Sequence, residues 1–212
     1  MPFKVESFEL YHIGIKLSPA VSLDVLASRL REILGKEGYN LPKDVIAESR
    51  VRVIPPLELI ASRNDVRVEL NYVVGALNTV GTSPFDVSGS FAGLPHYLVA
   101  LGYELSAVVQ YYEIIVSAIV ESHQKPMEML TNSVGRKVQG FEDIGPLKVT
   151  ALRFSLEDPQ REHFNIIVEP SSTSPSMRLS FKLQYRSNDK DATAKFHESI
   201  NARIDQFFSS LK

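Results

Sequence analysis

Residues 177–186 read Met-Arg-Leu-Ser-Phe-Lys-Leu-Gln-Tyr-Arg, ten positions in which apolar and polar side chains alternate without a break. In a strand, successive side chains point to opposite faces. Met177, Leu179, Phe181, Leu183 and Tyr185 are therefore expected on a dry face, and Arg178, Lys182 and Arg186 on a wet one. A sheet with one dry face needs a second layer to cover it. The chain supplies two amphipathic stretches of the right period. Leu23, Leu26, Leu30, Ile33 and Leu34 form a stripe within 20–37, and Phe196, Ile200, Ile204, Phe207, Phe208 and Leu211 form one within 191–211. The fold class expected is α+β, a mostly antiparallel β-sheet with amphipathic helices packed on one face.

Further strands are expected at Phe8–Leu17, Val45–Ile54, Leu147–Leu156 and Phe164–Glu169. Leu57–Ser62 and Val66–Val74 flank Arg63-Asn64-Asp65, which reads as a hairpin connection without the glycine that would settle its turn type. Pro126–Val134 reads as a short helix. Residues 75–96 mix Gly75, Gly81, Gly89 and Gly93 with Pro84, Pro95, Ser, Thr and Asn, and read as a long loop. Residues 104–122 read two ways. Polar residues at 106, 110, 113, 117 and 121 trace a helical face, while the density of Val and Ile is that of a strand. The spacing favours a helix over Glu104–Ser122.

With 212 residues, the chain is expected to form a single α+β domain over 1–212. The two ends share a coarse plan, strands combined with one long amphipathic helix, so sub-halves 1–96 and 97–212 are compatible with two pseudo-repeated halves.

Hydrophobic residues make up 44% of the chain and charged ones 23%, an ordinary globular composition, and the formal charge is −2. A near-neutral chain is not expected to live on phosphate backbones, so nucleic acid is an unlikely partner. The absence of cysteine excludes disulfides, thiolate metal sites and thiol nucleophiles. No apolar run reaches the length of a membrane span, and the N-terminus lacks the pattern of a signal peptide. Together these point to a cytoplasmic, soluble protein with no membrane partner.

Chemistry is hard to find. The histidines at 12, 96, 123, 163 and 197 fall at no spacing that puts two on one helix face. His197-Glu198-x-x-Asn201 departs from a zinc helix at its last ligand, and Asn is a poor zinc ligand beside imidazole. Gly89-Ser-Phe-Ala-Gly93 lacks the lysine of a phosphate loop, and no G-x-S-x-G elbow occurs. No catalytic, cofactor or metal site is assigned, and no cofactor is expected. The leading expectation is a non-enzymatic binding or assembly protein that self-associates or takes a protein partner. Its contact residues would be Phe85, Phe91, Leu94, His96 and Tyr97, apolar side chains in an otherwise polar loop. The rival expectation is an enzyme or small-molecule receptor with a pocket between sheet and helices, with His12, His96 and His123 as acid/base candidates.

Overall fold

A computed structural model describes residues 3–42, 56–122, 125–134, 150–156 and 162–211. In chain order the elements are β1 (Phe3–Leu17), α1 (Leu23–Lys36), β2 (Leu57–Arg63), β3 (Val66–Asn71), β4 (Ala76–Gly81) and α2 (Pro84–Ala100). They continue with α3 (Leu105–Val108), β5 (Val109–Ser122), α4 (Pro126–Val134), β6 (Leu152–Ser155), β7 (Glu162–Pro170), β8 (Arg178–Ser187), α5 (Lys190–Glu198) and α6 (Ile200–Ser210). The strands form one antiparallel sheet in the order β2-β3-β4-β1-β5-β8-β7-β6. The α+β class and the helix-on-sheet layering are thus observed. The plan β-α-β-β-β-α occurs twice, and exchanging β1–β4 with β5–β8 reproduces the strand order in reverse.

By contact density the chain divides into an N-terminal unit, Leu10–Ile114 with Arg186–Lys190, and a C-terminal unit, Met1–Glu9 with Ile115–Tyr185 and Asp191–Lys212. In the N-terminal unit, Ile15, Leu17, Leu70 and Leu77 of the sheet meet Leu26, Leu30 and Leu34 of α1 and Leu94 and Leu98 of α2 in one core. Each of these side chains is essentially without solvent contact. Glu58 on β2 accepts from Arg31 of α1 at 2.5 Å and from the Tyr72 hydroxyl at 2.5 Å, which ties helix to sheet. The β2–β3 hairpin closes on two residues, Asn64 and Asp65, because Arg63 already pairs with Val66. Asn64 takes the left-handed conformation (φ 55°) that the missing glycine would otherwise supply.

In the C-terminal unit, Leu179, Phe181, Leu183 and Tyr185 are buried as the alternation requires. Phe181 lies 5.6 Å from Phe208 of α6, and Tyr185 stacks on Phe196 of α5 at 4.1 Å between ring centroids. The C-terminal helical stretch is two helices. At Ser199 the hydroxyl donates to the carbonyls of Lys195 and Phe196 and accepts from Arg203 Nε, and α6 begins there.

Several expectations need correction. The proposed loop 75–96 is β4 followed by α2. Ser83 caps that helix by accepting from Asp86 N–H, with Pro84 in its first turn, and Val87, Ser90, Leu94 and Leu98 are buried. The favoured helix over Glu104–Ser122 is a single short turn, α3, and then the strand β5, whose Tyr112, Ile114, Val116, Ala118 and Val120 are buried in strict alternation. Met177 precedes β8 and is 59% exposed. The strand expected over 147–156 is described only as β6, and Thr150 and Leu156 are exposed beside it. The strand expected at Val45–Ile54 lies outside the described residues.

Candidate functional site

Helix α2 places the five residues named from the sequence. Phe85 is 86% exposed and His96 is exposed, whereas Leu94 has no solvent contact. Phe91 and Tyr97 are half-buried against the N-terminal core, Phe91 meeting the Tyr112 ring edge-on at 6.4 Å. The Tyr97 ring lies over Gly93, where a Cβ would come within 2.9 Å of the hydroxyl oxygen. So the five residues do not form one surface. Phe91, Leu94 and Tyr97 anchor the helix, and Phe85 and His96 face outward.

What α2 does present outward is a stripe that the residue-by-residue reading missed. Phe85, Gly89, Ala92, His96 and Val99 are exposed. At 3.6 residues per turn they fall within an arc of about 80°. Across 84–100 the only charged residue is Asp86. Helices that face water ordinarily carry a charged outer side. Here that side is apolar or small apart from His96, with Val99 55% exposed and open space above Gly89. The signal available in the sequence was the absence of charge, which a loop reading conceals.

Strand β1 carries a second cluster, built differently. On β1, His12 lies above Gly14, and a Cβ on that glycine would stand 2.5 Å from Asn78 Oδ1 and 2.7 Å from His12 Nε2. Glycine is needed at 14 because two side chains occupy the space above it. His12 Nε2 is buried without a hydrogen-bond partner. Burial lowers the His12 pKa, against the opposing pull of Glu113 and of the Asn78 side chain. Glu113 is held by Arg186, whose guanidinium sits 5.1 Å from the Tyr111 ring centroid. Arg178 pairs with Glu6 at 2.6 Å, Lys182 with Glu169 at 2.9 Å and Arg67 with Glu69 at 3.0 Å. Arg153 Nε donates to Asn165 Oδ1 at 3.0 Å.

Of the three histidines of the rival reading, two are among the described residues. His12 is on β1 and His96 on the outer side of α2, and His123 lies outside the described residues. Among the described residues no three His, Asp or Glu side chains are placed to hold a metal ion. No helix among them is long and apolar enough to cross a membrane.

A cleft of about 450 Å³ opens in the C-terminal unit between α5–α6 and strands β6–β8, walled by Phe154, Phe164, Phe181, Phe196 and Phe207. Arg203 stands at its edge, with its guanidinium 5.1 Å from the Phe196 ring centroid. The sequence reading placed Phe196 and Phe207 in a helical stripe but had no means of showing that the rings from three strands would leave a gap.

The fold is therefore an α+β arrangement in which the plan β-α-β-β-β-α occurs twice, with a nearly uncharged helix face on one unit and an aromatic cleft in the other. No known protein family matches the chain, and no curated protein does. Among solved structures, the chain is similar to Methanococcus jannaschii TBP, at 13% identity over 97% of this chain and 99% of that one, with a TM-score of 0.34. At that level of likeness the functional reading rests on this chain's own residues.

Proposed function

We propose that the protein is a non-enzymatic binding and assembly protein that associates with a second copy of itself through α2. The observation that carries this is the outward stripe Phe85, Gly89, Ala92, His96 and Val99 on a helix whose single charge is Asp86. The stripe is self-complementary about its centre. Phe85 and Val99 each stand seven residues from Ala92. An antiparallel pair related by a two-fold axis at Ala92 therefore sets each Phe85 against the partner's Val99, as an isologous contact requires. Small residues at 89 and 92 allow the two helix backbones to approach closely. The lack of charge suits a copy of the same surface, since a charged partner would find nothing to pair with.

Size limits the strength of this contact. Fourteen residues of helix span about 21 Å, and a face about 10 Å wide gives a footprint of about 200 Å². Stable interfaces bury about 800 Å² per partner. Association is therefore weak. Sedimentation equilibrium tests it. The expected result is a concentration-dependent monomer–dimer equilibrium that Ala92→Glu abolishes, because it sets two carboxylates on the axis, and that Phe85→Ser weakens about tenfold or more. Both positions are exposed, so both variants should keep the parent's circular dichroism. A strict monomer at about 1 mM, or a dimer indifferent to both substitutions, would remove the proposal.

A further inference from the structure

The phenylalanine-walled cleft of the C-terminal unit has the features of a ligand site, and they are independent of α2. Its volume, about 450 Å³, falls in the range of small-molecule pockets, which are mostly apolar with a few oriented polar groups. A neighbouring hollow of about 400 Å³ shares Phe164, Phe196 and Arg203 with it and adds Lys195. Arg203 is fixed from behind. Its Nε donates to Ser199 Oγ at 2.7 Å and its guanidinium lies against the Phe196 ring, so its terminal nitrogens are the part left to face a ligand. Among the described residues no carboxylate pairs with Arg203 or Lys195. That contrasts with Arg67, Arg178, Lys182 and Arg186, each of which has one.

Two cations without counter-charges beside a deep apolar wall select for an anion with an apolar body. Inorganic phosphate would satisfy the cations and leave the rings bare. A neutral oil would cover the rings and leave the guanidinium without an acceptor. The rings also speak to shape. Phe154 and Phe207 stand at 88°, Phe164 and Phe196 at 73°, and Phe181 and Phe207 at 57°. A flat aromatic ligand needs two parallel faces to slide between, whereas crossed rings enclose a flexible chain. We infer that this cleft binds an amphiphilic monocarboxylate of the medium-chain fatty-acid class, its carboxylate on Arg203 and Lys195 and its alkyl chain among the phenylalanines.

The test uses the intact chain and three probes: dodecanoate, its methyl ester, and inorganic phosphate. The chain contains no tryptophan. Phe154→Trp therefore places a lone indole in the wall, and titration calorimetry of the unsubstituted protein gives the same affinities without it. Dodecanoate should bind saturably at one site per chain, about tenfold more tightly than the ester, because only the acid makes charge-assisted hydrogen bonds to the guanidinium. Phosphate should not compete. Arg203→Met with Lys195→Met, both exposed and so tolerated by the fold, should lower dodecanoate affinity to that of the ester and leave the ester unchanged. Arg67→Met, at a cation of the N-terminal unit, should change neither. Absence of saturable binding, equal affinity for acid and ester, or indifference to the Arg203 and Lys195 substitutions would overturn the assignment. Because Phe85→Ser breaks only the α2 contact, unchanged dodecanoate binding in that variant separates this site from self-association.

Discussion

Replacing Phe208 by alanine tests whether α6 is docked as described, and with it one wall of the cleft. The ring is 1% exposed and touches three others: Phe3 of β1 at 5.1 Å, Phe181 of β8 at 5.6 Å and Phe207 at 5.3 Å between centroids. Its neighbours belong to two strands and to its own helix, so they cannot close over the space it leaves. The loss of transfer free energy and the cavity add, and the cost is about 3–5 kcal/mol. Phe207, on the same helix but half-exposed at the cleft, should cost about 1–2 kcal/mol. Urea unfolding followed by far-ultraviolet circular dichroism should show the Phe208→Ala midpoint falling by about 1–2 M at unchanged slope. A loss under about 1 kcal/mol, or a Phe207→Ala loss as large as that of Phe208→Ala, would refute the docking.

Two further outcomes follow from the cluster on β1. Gly14→Ala should destabilise by about 1–3 kcal/mol, because the new methyl meets Asn78 Oδ1 and His12 Nε2 at sub-contact distances. Adding Asn78→Ala should recover part of that loss, and thermal unfolding of the single and double variants checks the coupling. His12 sets a pH dependence. Its folded-state pKa lies below the ordinary value of 6.5 because burial opposes the charge, so the unfolded chain binds more protons in the interval between the two. Its contribution is therefore fully present above pH 6.5 and is lost as the pH falls through that interval. His197 is shifted the same way by burial, with Glu198 opposing. Urea midpoints measured from about pH 7.5 down to about pH 5 should decline, and His12→Gln should flatten the decline without abolishing it.

Much of the scaffold was legible because burial imposes a period. Leu179 to Tyr185 alternate, and Leu26, Leu30 and Leu34 recur at helical spacing, since each set must reach one core. The errors arose where two elements share one stretch or where composition opposes burial. The polar residues between 106 and 121 traced a false helical face because Ser106 belongs to α3 and Glu113 and Ser117 to β5. The β-branched density was the sounder guide. Helix α2 was hidden by Gly89, Gly93 and Pro95, poor helix formers held in place by the burial of Val87, Leu94 and Leu98. Its capping serine and first-turn proline at 83–84 were the readable signs. The cleft was not legible at all. It depends on rings from β6, β7, β8, α5 and α6 failing to fill one volume, and no local pattern encodes a gap.

The distribution of paired and unpaired charge indicates where partners would engage. Arg67, Arg178, Lys182 and Arg186 each hold a carboxylate, that of Glu69, Glu6, Glu169 and Glu113 in turn. Two features of the helices stand out among the described residues: an outward α2 stripe without a formal charge, and two cations beside the aromatic rings of the cleft. Apolar area without a partner is a cost of standing in water that binding can remove, and an exposed cation, though hydrated, gains charge-assisted hydrogen bonds from a bound anion. The two sites differ in which gain dominates, and so in their response to salt. Self-association through α2 buries apolar surface and should strengthen slightly with sulfate. Carboxylate binding at Arg203 and Lys195 is screened and should weaken as sodium chloride rises from about 0.01 to about 1 M. Opposite salt responses measured on one protein would tie each activity to its own surface, and a common response would undo the separation.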